Sequence, residues 1–360
     1  MKFCCDIIFN NASDQAVLSE SMQMKAVVVR KPGTLEVADV PDVKIDDYQA
    51  LVRTLACSIC NGTDRKILHG TIPFFGAEGY PGILGHESVG RVVKIGSKVT
   101  SFNEGDLIFR PIADVSGYYC CWGGLAEFGA VTDHKALEAD GAKPSNGAHH
   151  PGQQVIPGEA NVLEATVCIT LKEILSYLRA LEVRPKHSLL VLGYGPVGLA
   201  CTYLGKILGA HPVIVAGRRD EALRTAISFG ADGVVNFSTG DLSNKVRSIA
   251  PEGVDFIIDA IGRADLVKEA AASLHKGGKI GLYAVVDRNA PHLSMDDDKR
   301  IVPVGPDEAK AHDEIMQLWS SGRIRPDKFL THVLPLSDIA AGFDLIDQKQ
   351  AIKVTMNIGG

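Results

Sequence analysis

The strongest restriction on this chain is a change of hydrophobic period at about residue 164. Beyond it, short apolar runs alternate with segments of helical spacing. Glu164–Glu182 sets Val167, Thr170, Leu171, Ile174, Leu175, Leu178 and Leu181 on one helical stripe. Ser188–Leu192 is then a buried-strand run, followed by a glycine turn and an apolar helix to Leu208. Val213–Ala216, Val254–Ile258 and Lys279–Val285 repeat the strand pattern, and Asp220–Phe229 reads as a helix closed at Gly230. A strand that is apolar on both faces needs cover on both, and alternating helices supply it. The pattern predicts an α/β fold built on a doubly wound parallel sheet.

The first turn of this unit reads Gly193-Tyr194-Gly195-Pro196-Val197-Gly198. Three glycines in a chain that has 37 are a weak signal alone, and a merely structural turn is the bland alternative. The setting gives them weight. They follow a buried strand and open a helix, and a second strand starts about 20 residues on. There Gly193 permits the turn, Gly195 admits a pyrophosphate to the backbone, and Gly198 lets helix pack on strand. Pro196 and Val197 begin the helix, whose amide donors and dipole suit phosphate. The turn therefore predicts a nicotinamide dinucleotide. The second strand runs into Gly217-Arg218-Arg219 with no carboxylate to grip a ribose 2′-hydroxyl. A guanidinium binds a 2′-phosphate, whereas a carboxylate repels it. NADP(H) is thus expected over NAD(H), with Arg218 as the main contact and Arg219 in support. The competing reading makes both arginines solvated, one pairing with Asp220 or Glu221.

The earlier half has a different texture. Within residues 24–135, β-branched runs at Ala26–Arg30, Ala50–Leu55, Ser88–Ile95 and Leu107–Phe109 are broken by Gly, Pro and Asp, predicting an all-β unit. Residues 138–162 read as a loop rich in Gly, Pro, Asn and His. The tail carries helices near Asp313–Ser320 and Asp338–Asp347 and a strand at Ile352–Met356. Residues 1–23 are too short and too polar for a secretion signal. They are expected to form a disordered extension ahead of Met24.

Chemistry enters through Gly85-His86-Glu87-Ser88-Val89-Gly90, with Cys60, Thr63 and Asp64 upstream in Ser58-Ile59-Cys60-Asn61-Gly62-Thr63-Asp64, and Glu164 downstream. Zinc takes thiolate, imidazole and carboxylate, and catalytic sites keep one position open. Cys60, His86 and one carboxylate meet that demand. A lone cysteine is more often a small buried hydrophobe. It is the set, in this order ahead of the glycine turn, that is specific.

With these motifs, the chain over about residues 24–360 resembles the medium-chain, zinc-containing alcohol dehydrogenase superfamily, in its sorbitol (polyol) dehydrogenase-like branch. The stretch from Gly85 to Asp106, the Gly123–Phe128 segment, the cofactor turn and the glycine pair in Leu274–Ile280 carry the likeness. The resemblance implies a GroES-like β domain (24–163 and 306–360) around a Rossmann domain (164–305), with the active site between them. It implies Cys60 and His86 as zinc ligands. Glu87 and Glu164 are both candidate carboxylates, with Glu87 favoured as the direct one, and Glu164 hints at a hydroxyl-rich substrate. Thr63 takes the place of the hydroxyl that relays the substrate proton, and Lys66 stands where the family has a relay histidine. Asn61-Gly62 makes the turn before Thr63 one residue longer than usual. Cys57 is an alternative ligand, expected to face the core. Residues 88–135 hold only Cys120 and Cys121, so the family's structural zinc lobe is missing and one catalytic zinc is expected.

The expected function is reversible hydride transfer between NADP(H) and a small alcohol, polyol or carbonyl compound. Two alternatives are a zinc-free NADPH quinone or enone reductase and a non-catalytic NADPH-binding protein. Phe74, Phe75, Tyr80, Tyr118, Tyr119 and Trp122 are candidates to line the pocket, or else core packing. A net charge of −6 argues against nucleic-acid and anionic-membrane partners, and no long apolar run suggests a span. Eight scattered cysteines do not form a secreted disulfide framework. A cytoplasmic homodimer or homotetramer is expected, paired partly through a sheet edge near Lys279–Val285.

Overall fold

The computed structural model describes residues 23–359. The expectation for residues 1–23 lies outside the described residues, apart from Gln23, which opens the first strand. The first part of the chain holds β1 (Gln23–Lys31), β2 (Thr34–Pro41), β3 (Gln49–Ser58), α1 (Thr63–His69), β4 (Gly82–Ile83), β5 (Glu87–Ile95), β6 (Leu107–Phe109), β7 (Tyr119–Cys120), β8 (Phe128–Thr132) and α2 (His134–Ala139). The long helix α3 (Val162–Ala180) leads into β9 (Leu189–Leu192), α4 (Pro196–Ile207), β10 (Val213–Gly217), α5 (Asp220–Ser228), β11 (Gly233–Asn236), α6 (Leu242–Ile249), β12 (Val254–Asp259), α7 (Ala264–Ala270), β13 (Leu274–Leu282) and β14 (Ile301–Val302). The tail adds α8 (His312–Ser320), β15 (Leu330–Pro335), α9 (Ile339–Asp347) and β16 (Lys353–Asn357).

The parallel sheet runs β11-β10-β9-β12-β13-β14. β9 and β10 are buried at every residue, the pattern their unbroken apolar sequence requires. Strand order reverses between β9 and β12, so a crevice opens past their carboxyl ends, where open α/β sheets bind ligands. From the sequence, the cofactor sheet is expected to pair with another copy through an edge near Lys279–Val285. In the structure Ile280 and Gly281 already pair with Ile301 and Val302, so the outer strand is β14 and that expectation is corrected.

The remaining strands form two further sheets, β2-β1-β4-β7 and β15-β16-β3-β5-β6, with β8 on β3. The tail strand closes on the first half: Met356 lies opposite Cys57 and Asn357 opposite Ala56. The first half is also not wholly β, since α1 grows directly out of the turn holding Cys60, burying Ile67 and Leu68.

Helix α3 ties the sheets together. Its Val167, Leu171, Ile174, Leu175 and Leu178 share one core with Val89 and Phe109 on one side and Leu189 and Val191 on the other. Each such side chain contributes roughly 1.5–3 kcal/mol on burial. Asn161 starts the helix, its side chain accepting hydrogen bonds from the Leu163 and Glu164 amides. Rigid attachment to both sheets makes α3 one wall of whatever lies between them.

Candidate active site

Cys60 sits in the turn between β3 and α1. Its amide donates to Asp64 Oδ2 at 2.8 Å, and its Sγ accepts from the Thr63 amide at 3.4 Å. His86 and Glu87 enter from the start of β5, where Glu87 pairs with Ser58 across the sheet. The turn before them needs Gly85, whose φ is +96° and whose missing Cβ would meet the Leu125 amide. Sγ of Cys60, a ring nitrogen of His86 and a carboxylate oxygen of Glu87 lie within 4.8 Å of one another. Among the described residues no other His/Cys/Asp/Glu group forms such a cluster.

The donor set suits zinc: a soft thiolate, an imidazole and a carboxylate, converging from two rigid strand ends. Asp64 is fully buried, and its Oδ1 lies 3.4 Å from His86 Nδ1. A carboxylate behind one nitrogen orients the ring and leaves the other for a metal. Burial disfavours the charged His86 ring, but the negative charges of Asp64 and Cys60 outweigh it and hold the imidazole well above its usual range. A cation at this position would answer those charges. The His86 ring also packs against Trp122, centroids 5.1 Å apart.

Glu87 is buried and already partnered. Its Oε1 accepts from Lys353 Nζ at 2.6 Å and from Thr170 Oγ1 at 3.2 Å, and Oε2 forms an ion pair with the same ammonium. Lys353, from β16, is 2% exposed, which burial alone would penalise; Glu87 overrides this and keeps the ammonium charged. A carboxylate oxygen carries two lone pairs, so Glu87 keeps capacity for a metal beside the lysine.

The other expected residues fall as follows. Thr63 opens α1 beside the Cys60 thiol. Lys66 points away, to Asp287 Oδ1 at 2.5 Å. Cys57 is fully buried, its thiol pushed well up by desolvation, and it faces the core. Glu164 is not brought to the cluster, and its expectation as a zinc ligand is corrected. Its carboxylate accepts from Trp319 Nε1 at 3.2 Å and from Asn161 Nδ2 at 3.2 Å. The reason is helical geometry: Glu164 lies in the first turn of α3, and Thr170, six residues or about 9 Å along the axis, is the residue that reaches Glu87.

Of the aromatic candidates, Phe75 is buried against Tyr80 and Tyr119, with centroids 6.1 and 4.8 Å away. Phe74 is 62% exposed. Tyr118 is half-buried against the core of Val28 and Ile83, and its hydroxyl accepts from Arg30 Nη1 at 3.3 Å.

The cofactor turn is formed as its sequence implies. Gly193 has φ +108°, Gly195 is the N-cap of α4 and faces open space, and Pro196 starts the helix with Val197 half-buried behind it. A Cβ on Gly198 would run into the Gly193 carbonyl. At the end of β10, Gly217 leaves room for the Tyr194 ring. Arg219 donates from Nε to Tyr194 Oη at 3.2 Å, with its guanidinium 5.6 Å from the ring centroid. Arg218 is exposed and has no hydrogen-bond or ion-pair partner among the described residues, while Asp220 is taken by Asn236.

Sequence reasoning missed Lys353, Thr170, Arg110, Glu173 and Tyr283, and assigned no role to Asp64. Lys353 left a trace, as a charge inside the apolar run Ile352–Met356. Arg110 is buried with φ +57° and joins three partners: His86 O from Nη1 at 2.6 Å, Glu173 Oε1 from Nη2 at 2.7 Å, and the two oxygens of Glu308.

Residues 46–141 match the alcohol dehydrogenase GroES-like domain family, and residues 196–303 match the zinc-binding dehydrogenase family. The chain is 31% identical to the NADP-dependent isopropanol dehydrogenase of Thermoanaerobacter brockii over 65% of this chain and 68% of that one. It is 27% identical to D-arabinitol dehydrogenase 1 of Uromyces fabae over 93% of this chain and 97% of that one. The solved alcohol dehydrogenase TADH from Thermus sp. ATN1 superposes with a TM-score of 0.75 at 25% identity, covering 93% of this chain and all of that one (100%). Among the described residues no helix is long and apolar enough to cross a membrane.

Proposed function

The chain belongs to the medium-chain, zinc-containing alcohol dehydrogenase superfamily, which includes sorbitol-dehydrogenase-like members, and we propose that it is a zinc-dependent oxidoreductase moving a hydride between a secondary alcohol or polyol and NADP(H). The observation that carries this reading is the convergence of Cys60, His86 and Glu87, in a chain that also carries the glycine turn of a parallel dinucleotide-type sheet.

Bound at Cys60, His86 and Glu87, zinc would supply Lewis acidity to a substrate oxygen. The chain's own groups do the rest. Asp64 orients the His86 ring, and Lys353 with Thr170 fixes the Glu87 carboxylate. Thr63, at the mouth of α1 next to Cys60, offers a hydroxyl that takes and passes the substrate proton. Lys66 is engaged by Asp287, so in this arrangement water carries the proton onward from Thr63. Gly193, Gly195 and Gly198 bring backbone amides to the pyrophosphate. The nicotinamide supplies the hydride chemistry, and the protein orients it and excludes water.

NADP(H) is preferred in this proposal because Arg218 has no partner among the described residues, Arg219 lies on the Tyr194 ring, and no carboxylate closes the end of β10. As part of the same proposal, the enzyme works in the cytoplasm on small molecules, as a homodimer or homotetramer, with one zinc per chain. Steady-state kinetics with 2-butanol and both cofactors test the reading. Turnover with a kcat/KM at least about 10-fold higher for NADP than for NAD is expected, one charge-assisted contact being worth that much. Equal values for the two cofactors remove the preference, and no alcohol oxidation removes the function.

A further inference from the structure

With Glu164 bound to Trp319 and Asn161 away from the cluster, any carboxylate that recognises a second substrate hydroxyl must come from another position. Helix α3 supplies one in Glu173. Its Oε1 accepts from Arg110 Nη2 at 2.7 Å and its Oε2 from the Tyr283 hydroxyl at 3.1 Å. The same Arg110 guanidinium donates to the His86 carbonyl at 2.6 Å. The Glu173 carboxylate therefore stands one guanidinium away from the backbone of a metal-site residue. Tyr283 comes from the other side, just past the carboxyl end of β13, where the crevice of the parallel sheet opens. Its ring is braced edge-on by Tyr177, centroids 5.1 Å apart.

Both groups are only partly covered: Tyr283 is half-buried, and the Glu173 side chain is 22% exposed. Burial and then the Glu173 charge push the Tyr283 hydroxyl well above its usual range, so it remains a phenol that donates to Glu173. Arg110 and Tyr283 each use one lone pair of the carboxylate, which leaves a free pair on either oxygen. The phenol oxygen can also accept. The pair thus keeps free acceptors at the carboxyl end of the parallel sheet, held by a buried arginine that also binds the backbone carbonyl of His86.

We propose that Glu173 and Tyr283 form a specificity site that accepts a hydrogen bond from a second hydroxyl, on the carbon next to the one oxidised, so that vicinal diols and polyols are preferred over simple secondary alcohols. This rests on the alcohol or polyol dehydrogenase reading above. A hydroxyl at that point would give a free lone pair of the Glu173 carboxylate a donor. An alkyl group leaves the carboxylate short of a partner, and sites built to bind a hydroxyl discriminate on that basis.

The test compares kcat/KM with NADP for 2,3-butanediol and 2-butanol, which differ by one vicinal hydroxyl, in the wild type, Glu173→Gln and Tyr283→Phe. The wild type is expected to favour the diol, and the diol-to-monool ratio to fall roughly 10- to 100-fold in Glu173→Gln, the worth of a hydrogen bond to a charged group. A smaller fall is expected in Tyr283→Phe. A merely structural role lowers both substrates in parallel and leaves the ratio unchanged, which overturns the inference. A wild type that oxidises 2-butanol without favouring the diol also overturns it, while the dehydrogenase reading stands. A wild type that oxidises neither removes both. If one variant fails to fold, judged by its melting transition, the other and the wild-type ratio decide.

Discussion

Lys353 and Glu87, 266 positions apart in sequence, form a fully buried ion pair in which one ammonium meets both carboxylate oxygens. Strand β16, near the end of the chain, therefore neutralises a residue of the candidate metal cluster. Removing one partner of such a pair leaves an uncompensated buried charge. Lys353→Met is expected to lose about 3–5 kcal/mol of stability in chemical denaturation. Adding zinc should recover more stability in this variant than in the wild type, because a metal would restore the missing positive charge. Equal zinc effects in both proteins would separate Glu87 from metal binding.

A second buried lysine acts in the opposite sense. Lys172 has no hydrogen-bond partner among the described residues, and its Nζ lies 4.0 Å from the Phe109 ring centroid. Burial lowers its ammonium to about 8; Glu308 opposes that and Arg110 reinforces it, with Cys168 and Glu173 as smaller opposing influences. An unfolded lysine titrates near 10.4. Between these values the unfolded chain binds more protons than the native one, so stability rises with pH from about 8 to about 10. Lys172→Met should gain roughly 1–4 kcal/mol at pH 7 and lose that rise. Urea titrations of both proteins at pH 7, 8, 9 and 10 measure the difference. A variant less stable than wild type at pH 7, with an unchanged pH slope, would show that Lys172 is favourable where it stands.

The proposed preference for NADP(H) rests on few contacts. Arg218→Ala is expected to lower kcat/KM for NADP by about 10- to 100-fold, and to leave NAD within about 3-fold, since Arg218 has no other partner among the described residues. Arg219→Ala should lower NADP less and also loosen Tyr194, on which it rests. Parallel losses for both cofactors would place these arginines outside 2′-phosphate recognition.

Glu164 offers a check on the proposed ligand set of Cys60, His86 and Glu87. Glu164→Gln keeps its volume and its contacts to Trp319 and Asn161 in outline. It should leave zinc content unchanged and alter stability by less than about 1 kcal/mol, because Glu164 is only half-buried and the amide keeps an acceptor oxygen for a present donor. Loss of zinc in this variant would restore Glu164 to the metal site.

The legible parts of this molecule were those written locally. The cofactor turn needs only a strand, three glycines and a helix start, all within Leu189–Ile207. Cys60, His86 and Glu87 were legible because each sits at the end of a strand whose pattern is clear. The supporting groups were not. Lys353 reaches Glu87 only because β16 returns to pair with β3, and Arg110 reaches Glu308 across 198 positions. No local pattern encodes such pairings beyond a charge misplaced in an apolar strand. Glu164 misled for a related reason. A carboxylate at a helix start is favoured by the dipole whatever it faces, and the residues of α3 that face the site come later, at Thr170 and Glu173. The expected edge at Lys279–Val285 failed because β14, a two-residue strand, is too short to announce itself.

The central claim is that Cys60, His86 and Glu87 hold a single catalytic zinc. Metal analysis of the purified chain beside a Cys60→Ala variant tests it most directly. About one zinc per chain in the wild type, lost in the variant, is the result this account predicts. Two zincs, or a zinc content unaffected by removal of Cys60, would contradict it.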